Sequence, residues 1–477
     1  MKKIHAAFIG VTALILAGSL LFGGLHLYGS QQLVPENTQI ADWDVGGLTF
    51  TEVRSGLNQR LESLEALPLI LQAERNSELT LTLKQAGLAY EAETFLQGLK
   101  TLEEGGLLAR VQARRSFPHS WSLGVHLDIT ALQGSLSPAW ERETFGTPVN
   151  ADRQITGDDR VIYKPEQTSY EVDWLALENT LRAAVPTRFS NPEFLPGRGL
   201  ALEVPLVVKL PEVTLASLKA QGIERRIIQF STSLGASGPG RTFNVNAAAQ
   251  AVNDTILPPG AVFDYGKAII KAQQDSGFRE APVIVNGKLQ PGIGGGICQV
   301  SSTLYNAALR TGLEIVERRN HSLPVSYLPK GQDATFAEGN INFRFRNTTG
   351  KYLLIRAAVQ GRTLTIKLFG TFPRNVSYSV QSQTVEVLPA ADKLVNDPSL
   401  PRGGTRVLQS GKTGYVVETH LLRHVDGKLV EKSRLSRDTY YPQPRLVAIN
   451  RGGTGHSGTP ESPKRQVVED GVRSSNR

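Results

Sequence analysis

Residues 294–305 read Gly294-Gly295-Gly296-Ile297-Cys298-Gln299-Val300-Ser301-Ser302-Thr303-Leu304-Tyr305. Three glycines followed by apolar residues at helical spacing predict a tight turn that runs into a helix, with Cys298 in its first turn. The free N–H groups and the dipole at a helix start favour an anion, so a cysteine placed there has a lowered pKa and is more often thiolate. We therefore expect Cys298 to be a reactive nucleophile. Helix capping without catalysis is the alternative explanation of the glycines.

The N-terminus predicts export. Lys2 and Lys3 precede an uncharged run of about 20 residues from Ala6 to Leu25, which is long enough to cross a bilayer as a helix. The two lysines favour a cytoplasmic N-terminus. We expect residues 1–29 to be a signal anchor, with one pass through the cell membrane and the rest of the chain on the cell-wall side. A cleaved signal peptide is the alternative, although the end of the run is a poor cleavage site.

The single cysteine and the positive net charge limit the chemistry and the binding partners that we expect. Cys298 is the only cysteine of 477 residues, so an exported chain has no internal disulfide and its thiol is either reactive or buried and inert. The net charge is +8. Because an exported protein seldom meets nucleic acid, anionic wall polymers and lipid headgroups are the expected partners of a basic surface. The oligomeric state is not predicted.

The segments differ in their patterns. Residues 38–222 mix strand and helix patterns and are predicted to be α+β, with Thr49 or Thr51 capping a helix that runs to about Leu64. Residues 376–450 are strand-rich with glycine turns. Residues 452–477 consist mainly of Gly, Ser, Pro and charged residues, and we predict that they are disordered. The expected fold class is multidomain α+β with one N-terminal membrane anchor.

Residues 223–370 carry several longer motifs. They are Phe230-Ser231-Thr232, Arg241 to Asn246, Leu257 to Asp264, Gly294 to Leu309, Glu317-Arg318-Arg319-Asn320-His321-Ser322 and Gly331-Gln332-Asp333-Ala334-Thr335. This segment resembles the VanW family. Residues 38–222 look like the peptidoglycan-binding domains that often precede this module, and residues 376–450 look like a five-glycine module of wall-associated proteins.

The VanW resemblance implies a function that composition does not. The family was first known as an accessory of glycopeptide (vancomycin) resistance, and some members are regarded as a distinct class of L,D-transpeptidase. The implied activity is cysteine acyl transfer on peptidoglycan stem peptides. A non-catalytic wall-binding or scaffold protein, or a thiol carboxypeptidase, is the alternative.

Acyl transfer needs a thiolate, a base and an oxyanion site. His321 is the expected base, because a helix of about 14 residues followed by a return strand can bring position 321 back beside the helix start. Asp333 is the first choice to orient the imidazole, with Asn320 and Ser322 next.

Further side chains are expected to bind the substrate. The turn can present N–H groups to an oxyanion, Gln299 can donate to the acyl carbonyl, and one of two adjacent arginines can bind a stem-peptide carboxylate. The predicted substrate-binding residues are Gly295, Gly296, Gln299, Ser301, Ser302, Tyr305, Arg318 and Arg319. No cofactor and no metal are expected, because the sequence lacks a phosphate loop and Glu317 and His321 lie on a predicted strand without a second histidine.

Overall fold

The computed structural model describes residues 2–73, 77–190, 199–285, 287–451 and 467–472. They form helices and strands throughout, which confirms the predicted α+β class. The helices are α1 (Lys2–Gly29), α2 (Phe50–Glu65), α3 (Glu93–Glu103), α4 (Leu107–Arg115), α5 (Ile129–Ser135), α6 (Pro138–Phe145), α7 (Trp174–Ala184), α8 (Leu215–Ala220), α9 (Pro239–Val252), α10 (Tyr265–Ser276) and α11 (Ile297–Leu309). The strands are β1 (Gln39–Ile40), β2 (Trp43–Asp44), β3 (Pro68–Ala73), β4 (Ser77–Thr82), β5 (Leu88–Glu91), β6 (Ser120–Trp121), β7 (Gly124–Leu127), β8 (Asp152–Ile155), β9 (Val161–Lys164), β10 (Ser169–Val172), β11 (Leu200–Glu203), β12 (Leu206–Lys209), β13 (Arg225–Ser233), β14 (Thr255–Leu257), β15 (Val262–Asp264), β16 (Glu280–Val285), β17 (Lys288–Ile293), β18 (Glu314–Glu317), β19 (Arg344–Arg346), β20 (Leu353–Gln360), β21 (Thr363–Gly370), β22 (Val376–Leu388), β23 (Asp392–Asn396), β24 (Thr405–Gln409), β25 (Gly414–Val425), β26 (Lys428–Tyr440), β27 (Arg445–Ile449) and β28 (Val468–Glu469).

The chain divides into two compact units. Unit 1 comprises Met1–Asn150 and Glu166–Glu212, and unit 2 comprises Ala151–Pro165 and Val213–Arg477. Unit 2 therefore includes the hairpin β8–β9, which the sequence analysis assigned to the region 38–222. The hairpin is held there because the Asp159 carboxylate pairs with Arg226 on β13 and Lys367 on β21.

Helix α1 is long and apolar enough to cross a membrane. Its 28 residues exceed the roughly 20 that span a hydrocarbon core. The helix is compatible with a single-pass anchor and with a signal sequence, the two alternatives left by the sequence.

In unit 1, α2 shows how local signals define an element. The hydroxyl of Thr49 accepts a hydrogen bond from the Glu52 N–H at 3.2 Å, and the Glu52 carboxylate accepts from the Thr49 N–H at 2.8 Å. This reciprocal capping box begins the helix at Phe50 and selects Thr49 over Thr51 as the cap. The apolar face of α2 packs in a core that also contains the three-stranded sheet β11-β3-β4.

Unit 2 is built on the antiparallel sheet β13-β21-β20-β14. Helix α11 lies against β13 and β21, and α9 lies against β20 and α11. All 13 residues of α11 are buried, so this helix occupies the centre of the unit rather than its surface. The rest of unit 2 contains the sheets β15-β19-β18, β22-β25-β26 and β23-β27-β24.

The C-terminal segment 467–472 corrects one expectation. The sequence analysis predicted that residues 452–477 are disordered, but β28 pairs antiparallel with β16 through Ile284 with Glu469 and Val285 with Val468. Val472 is only 3% exposed and joins the core of unit 2. The prediction was wrong for these residues because the valines supply apolar contacts that overall composition concealed. Residues 452–466 and 473–477 lie outside the described residues.

Candidate active site

The glycine turn is fixed by packing. Gly296 caps α11 with φ 109°, a left-handed conformation that favours glycine. A Cβ on Gly295 would lie 2.8 Å from the Ala281 carbonyl oxygen and closer still to that of Pro282. These contacts require glycine at both positions independently of any ligand.

Cys298 lies in the first turn of α11, as predicted, but its surroundings differ from the expectation. The thiol is fully buried, donates to the Phe336 carbonyl oxygen at 3.3 Å, and accepts from the Phe336 N–H at 3.0 Å. The Cys298 N–H donates to Asp470 Oδ1 at 2.7 Å. The carboxylate of Asp470 therefore occupies the anion position that we expected at the helix start.

This environment reverses the expected change in acidity. Burial raises the pKa of the Cys298 thiol well above its usual value, and the negative charge of Asp470 raises the pKa further, despite the hydrogen bond from Phe336. The sequence predicted a lowered pKa from the helix dipole alone. That prediction was wrong for this conformation, in which the thiol is protonated at neutral pH.

His321 and Asp333 form a buried pair. Asp333 Oδ2 accepts from the His321 main-chain N–H at 2.7 Å and lies 2.7 Å from Nδ1 of the ring. Asp333, rather than Asn320 or Ser322, contacts the imidazole: Asn320 donates to the His321 and Thr439 carbonyl oxygens, and Ser322 donates to Glu469. Of the three candidates, Asp333 is thus the one that contacts the ring, and its catalytic role stays a prediction.

The other side of Asp333 is held by the strand-rich C-terminal part of unit 2. Tyr440 donates its hydroxyl hydrogen to Asp333 Oδ1 and accepts from the Gly331 N–H at 2.6 Å. Sequence reasoning missed Tyr440, because it lies 107 positions after Asp333 and no motif surrounds it.

The pair leaves one nitrogen of the imidazole available. His321 Nε2 is buried and has no hydrogen-bond partner among the described residues. Burial lowers the pKa of His321, but the hydrogen bond and charge of Asp333 outweigh it and raise the pKa above its usual value. Burial alone would raise the pKa of Asp333. The hydrogen bonds and charge of His321 and the charge of Arg318 outweigh burial and lower this pKa to about 2. An imidazole held at Nδ1 by a carboxylate, with Nε2 unpaired, can exchange a proton through Nε2.

This pair predicts a pH dependence of stability. The pKa of Asp333 is about 2 in the folded chain and near 3.8 in the unfolded chain. Ionised Asp333 therefore stabilises the fold above about pH 4, and this contribution is lost as the pH falls towards 2. We expect a loss of about 2 kcal/mol from this group. His321 has a raised folded pKa, so its contribution is present below about pH 6.5 and is lost as the pH rises through the folded value.

The measurement is urea unfolding, followed by circular dichroism from pH 2 to 9, of the wild-type chain and of Asp333→Asn. The difference between the two isolates this pair, because all other titrating groups are shared. Asp275→Asn, at an exposed position of α10, serves as the control and should parallel the wild type. Equal pH profiles for wild type and Asp333→Asn would contradict the assignment.

The guanidinium of Arg318 is already bound by other groups of the protein. Its guanidinium makes two contacts with the Asp438 carboxylate, at 2.6 and 2.7 Å, lies 3.5 Å from Asp333 Oδ1, and donates to the Asp333 carbonyl oxygen at 2.7 Å. The side chain is 6% exposed. Arg319 is exposed on the surface. The expectation that Arg318 binds a substrate carboxylate therefore does not hold in this conformation, because Nη1 is bound by Asp438 and the other two nitrogens donate to the Asp333 and Gly331 carbonyl oxygens.

The polar residues of α11 connect the helix to its neighbours instead of lining a cleft. Ser301 donates to the Ala334 carbonyl oxygen at 2.7 Å, and Ser302 accepts from the Ala334 N–H at 2.9 Å. Tyr305 packs edge-on against Phe343. The prediction of a cleft-lining face for Ser301, Ser302 and Tyr305 was wrong, because these three side chains are buried against neighbouring elements.

Gln299 lies at the edge of an open cleft. Its amide nitrogen donates to Thr232 and to the Ser233 carbonyl oxygen, and its amide oxygen accepts from Arg241 at 3.2 Å. The cleft has a volume of about 800 Å³ and is also lined by Arg241 and Asp470. In the described part of the chain, no group of three or more His, Cys, Asp or Glu side chains is arranged to hold a metal ion.

Residues 469 and 470 form hydrogen bonds with the main chain at Cys298 and next to His321. Asp470 accepts from the N–H of Cys298, and Glu469 accepts from the N–H of Ser322, the neighbour of His321, at 2.9 Å. Consecutive Cα atoms are about 3.8 Å apart. The start of α11 and the loop at 321–322 therefore flank one short segment, although in the described residues no hydrogen bond joins Cys298 to His321.

Comparisons with known proteins agree with this architecture. Residues 240–369 match the family model described as VanW like protein, and residues 379–451 match the G5 domain. The uncharacterized protein YoaR of Bacillus subtilis is 37% identical over 170 residues, which cover 36% of this chain and 56% of YoaR. The vancomycin B-type resistance protein VanW of Enterococcus faecalis is 28% identical over 151 residues, 31% of this chain and 55% of that protein. The chain thus spans about half the length of these curated relatives.

Two solved G5 structures match a small share of the chain. The HP0197 G5 structure is 31% identical with a TM-score of 0.12 and covers 15% of this chain and 97% of that one. The IgA1 protease G5 domain is 26% identical with a TM-score of 0.13 and covers 16% and 90%. The family matches confirm two of the predicted resemblances, a VanW-like domain and a G5 domain. The resemblance of residues 38–222 to peptidoglycan-binding domains stays a prediction.

Proposed function

We propose that this chain, with its VanW-like and G5 domains, is a membrane-anchored cell-wall protein that catalyses cysteine acyl transfer on peptidoglycan stem peptides, as an L,D-transpeptidase does. The observation that carries this function is the buried His321–Asp333 pair, whose Nε2 has no partner among the described residues, in the same unit as the thiol of Cys298. Apolar helix α1 supports a single-pass anchor, and the G5 domain and residues 38–222 would bind the wall.

In this mechanism Cys298 Sγ attacks the carbonyl carbon of the third stem residue. Its proton passes to His321 Nε2, the bond to the terminal D-amino acid breaks, and the imidazolium returns the proton to the leaving amine. An amine from a neighbouring stem then attacks the thioester, loses its proton to Nε2 and regenerates the thiol. Asp333 stabilises the transient imidazolium. Hydrolysis of the same thioester would make the protein a carboxypeptidase.

One observation favours a second function. Cys298 is fully buried and its pKa is raised, as for an inert structural thiol. Under this alternative the protein is a non-catalytic wall-binding scaffold. Acyl transfer requires a conformation in which Sγ and Nε2 come within about 2.6–3.2 Å of their proton partners and the thiol reaches the cleft.

The test uses the full-length chain in detergent with tetrapeptide muropeptides, analysed by mass spectrometry. We expect cross-linked dimers from the wild type, and a loss of about 10³-fold or more for Cys298→Ala and His321→Gln. His424→Gln, a histidine substitution on β25 outside the site, should retain activity. Tripeptides in place of dimers would identify a carboxypeptidase. Equal products from the wild type and Cys298→Ala would support the scaffold.

A further inference from the structure

We infer that the candidate active site binds an extended acidic peptide, and that residues 467–472 occupy it as an intramolecular ligand that must leave before substrate enters. This deepens the proposed function and rests on it only for the identity of the natural peptide. Four sets of contacts support the inference.

The first is a carboxylate site. Asp470 Oδ1 accepts from the Cys298 N–H at 2.7 Å, and Oδ2 accepts from Arg241 at 3.1 Å. Arg241 is held by Gln299 and lines the open cleft. A main-chain donor and a guanidinium thus bind the two oxygens of one carboxylate, as they would bind a carboxylate of an incoming peptide.

The second is a strand edge. Residues 468 and 469 extend the β17–β16 hairpin as a third strand, and the Val472 N–H donates to the Ile293 carbonyl oxygen at 3.0 Å. Peptides are commonly bound by such strand addition, in which main-chain hydrogen bonds supply affinity for any extended sequence. The edge of β16 can therefore bind extended peptides of other sequences as well as residues 468 and 469.

The third is the position of the segment relative to the chemistry. Asp470 bonds to the main chain of Cys298, and Glu469 accepts from the N–H and hydroxyl of Ser322, next to His321. The Asp470 N–H donates to the Phe336 carbonyl oxygen, which also contacts the thiol. The segment thus lies along both proposed reacting groups, where a substrate must lie.

The fourth is the close approach of Gly471 to the main chain of β17. A Cβ on Gly471 would lie 2.8 Å from the Ile293 carbonyl oxygen. A residue without a side chain at this position lets the segment follow β17 closely while Asp470 reaches the helix start. Burial raises the pKa of the Cys298 thiol, and the charge of Asp470 in the bound segment raises it further.

The test nicks the folded full-length chain. A recognition site for a sequence-specific protease is placed within residues 452–466, the chain is cleaved after purification in detergent, and the nicked protein is washed extensively. Alkylation of Cys298 by iodoacetamide at neutral pH is then timed for nicked and uncut chains. We expect at least about 10-fold faster alkylation after nicking.

Adding back a synthetic Val-Val-Glu-Asp-Gly-Val peptide should restore slow alkylation saturably, whereas the Asp→Asn peptide should not. This rescue excludes unfolding as the cause of fast labelling. Retention of the cleaved segment through washing, or unchanged alkylation after its loss, would overturn the inference. Fast alkylation without rescue would also overturn it. If rescue occurs but no transpeptidation is found, the proposed function fails while this inference stands.

Discussion

Replacing Asp333 with alanine is expected to lower the free energy of unfolding of unit 2 by about 3–5 kcal/mol. The carboxylate is fully buried and accepts from the main chain of His321, lies against its Nδ1, and accepts from the Tyr440 hydroxyl. Its loss leaves these groups unpaired in the core and removes a negative charge beside Arg318. Unpaired buried polar groups cost far more than the net gain of the bonds that they replace.

The measurement uses the lone cysteine. Because Cys298 is fully buried in unit 2, its protection from a thiol reagent in increasing urea reports the unfolding of that unit. Tryptophan fluorescence would not serve, because Trp43, Trp121, Trp140 and Trp174 all lie in unit 1. Asp275→Ala, which breaks an exposed pair with Lys271, should cost less than about 1 kcal/mol. A similarly small change for Asp333→Ala would show that the buried network contributes little.

Gly295→Ala is expected to have the second largest effect, a loss of about 3 kcal/mol. The added Cβ would collide with the carbonyl groups of Ala281 and Pro282 on β16, and main-chain atoms cannot rotate away as a side chain can. The Gly295 carbonyl oxygen also accepts from Asn244 at 3.0 Å, so displacing the turn breaks a buried contact between α9 and the turn before α11.

The same thiol-protection assay measures this variant. Gly157→Ala in the β8–β9 turn is the matched control, because a Cβ there would meet nothing within 4 Å. We expect that control to change stability by no more than about 0.5 kcal/mol. If Gly295→Ala behaves like Gly157→Ala, the close approach of the turn to β16 is not a constraint on the sequence.

Local patterns predicted much of the fold. The capping box at Thr49, the apolar run of α1 and the helix after the glycine turn follow from short-range signals, and each element lies near its predicted bounds. Asp333 lies against His321 as proposed from the motifs. These features depend on residues within a few turns of one another or on a recognisable motif.

The environment of the thiol could not be predicted in the same way. The helix dipole is a property of α11 alone, whereas the pKa of Cys298 is raised by burial and by Asp470, a residue in a segment whose composition suggested disorder. Likewise the sequence left Arg318 available for a substrate, whereas in the structure its guanidinium is bound by Asp438 and by main-chain carbonyl oxygens. Long-range packing decides whether a reactive residue type is exposed, and no periodicity in one sequence records it.

The contact between Cys298 and Asp470 also sets an order of assembly. These residues lie 172 positions apart, and Arg241 and Asp470 lie 229 apart. Chains fold from the N-terminal side during synthesis, and closing a longer loop costs more entropy. The helix and the imidazole loop can therefore form before residues 467–472 have emerged. Until that last segment has been made, the Cys298 N–H and the Arg241 guanidinium both lack the carboxylate that they share in the finished fold.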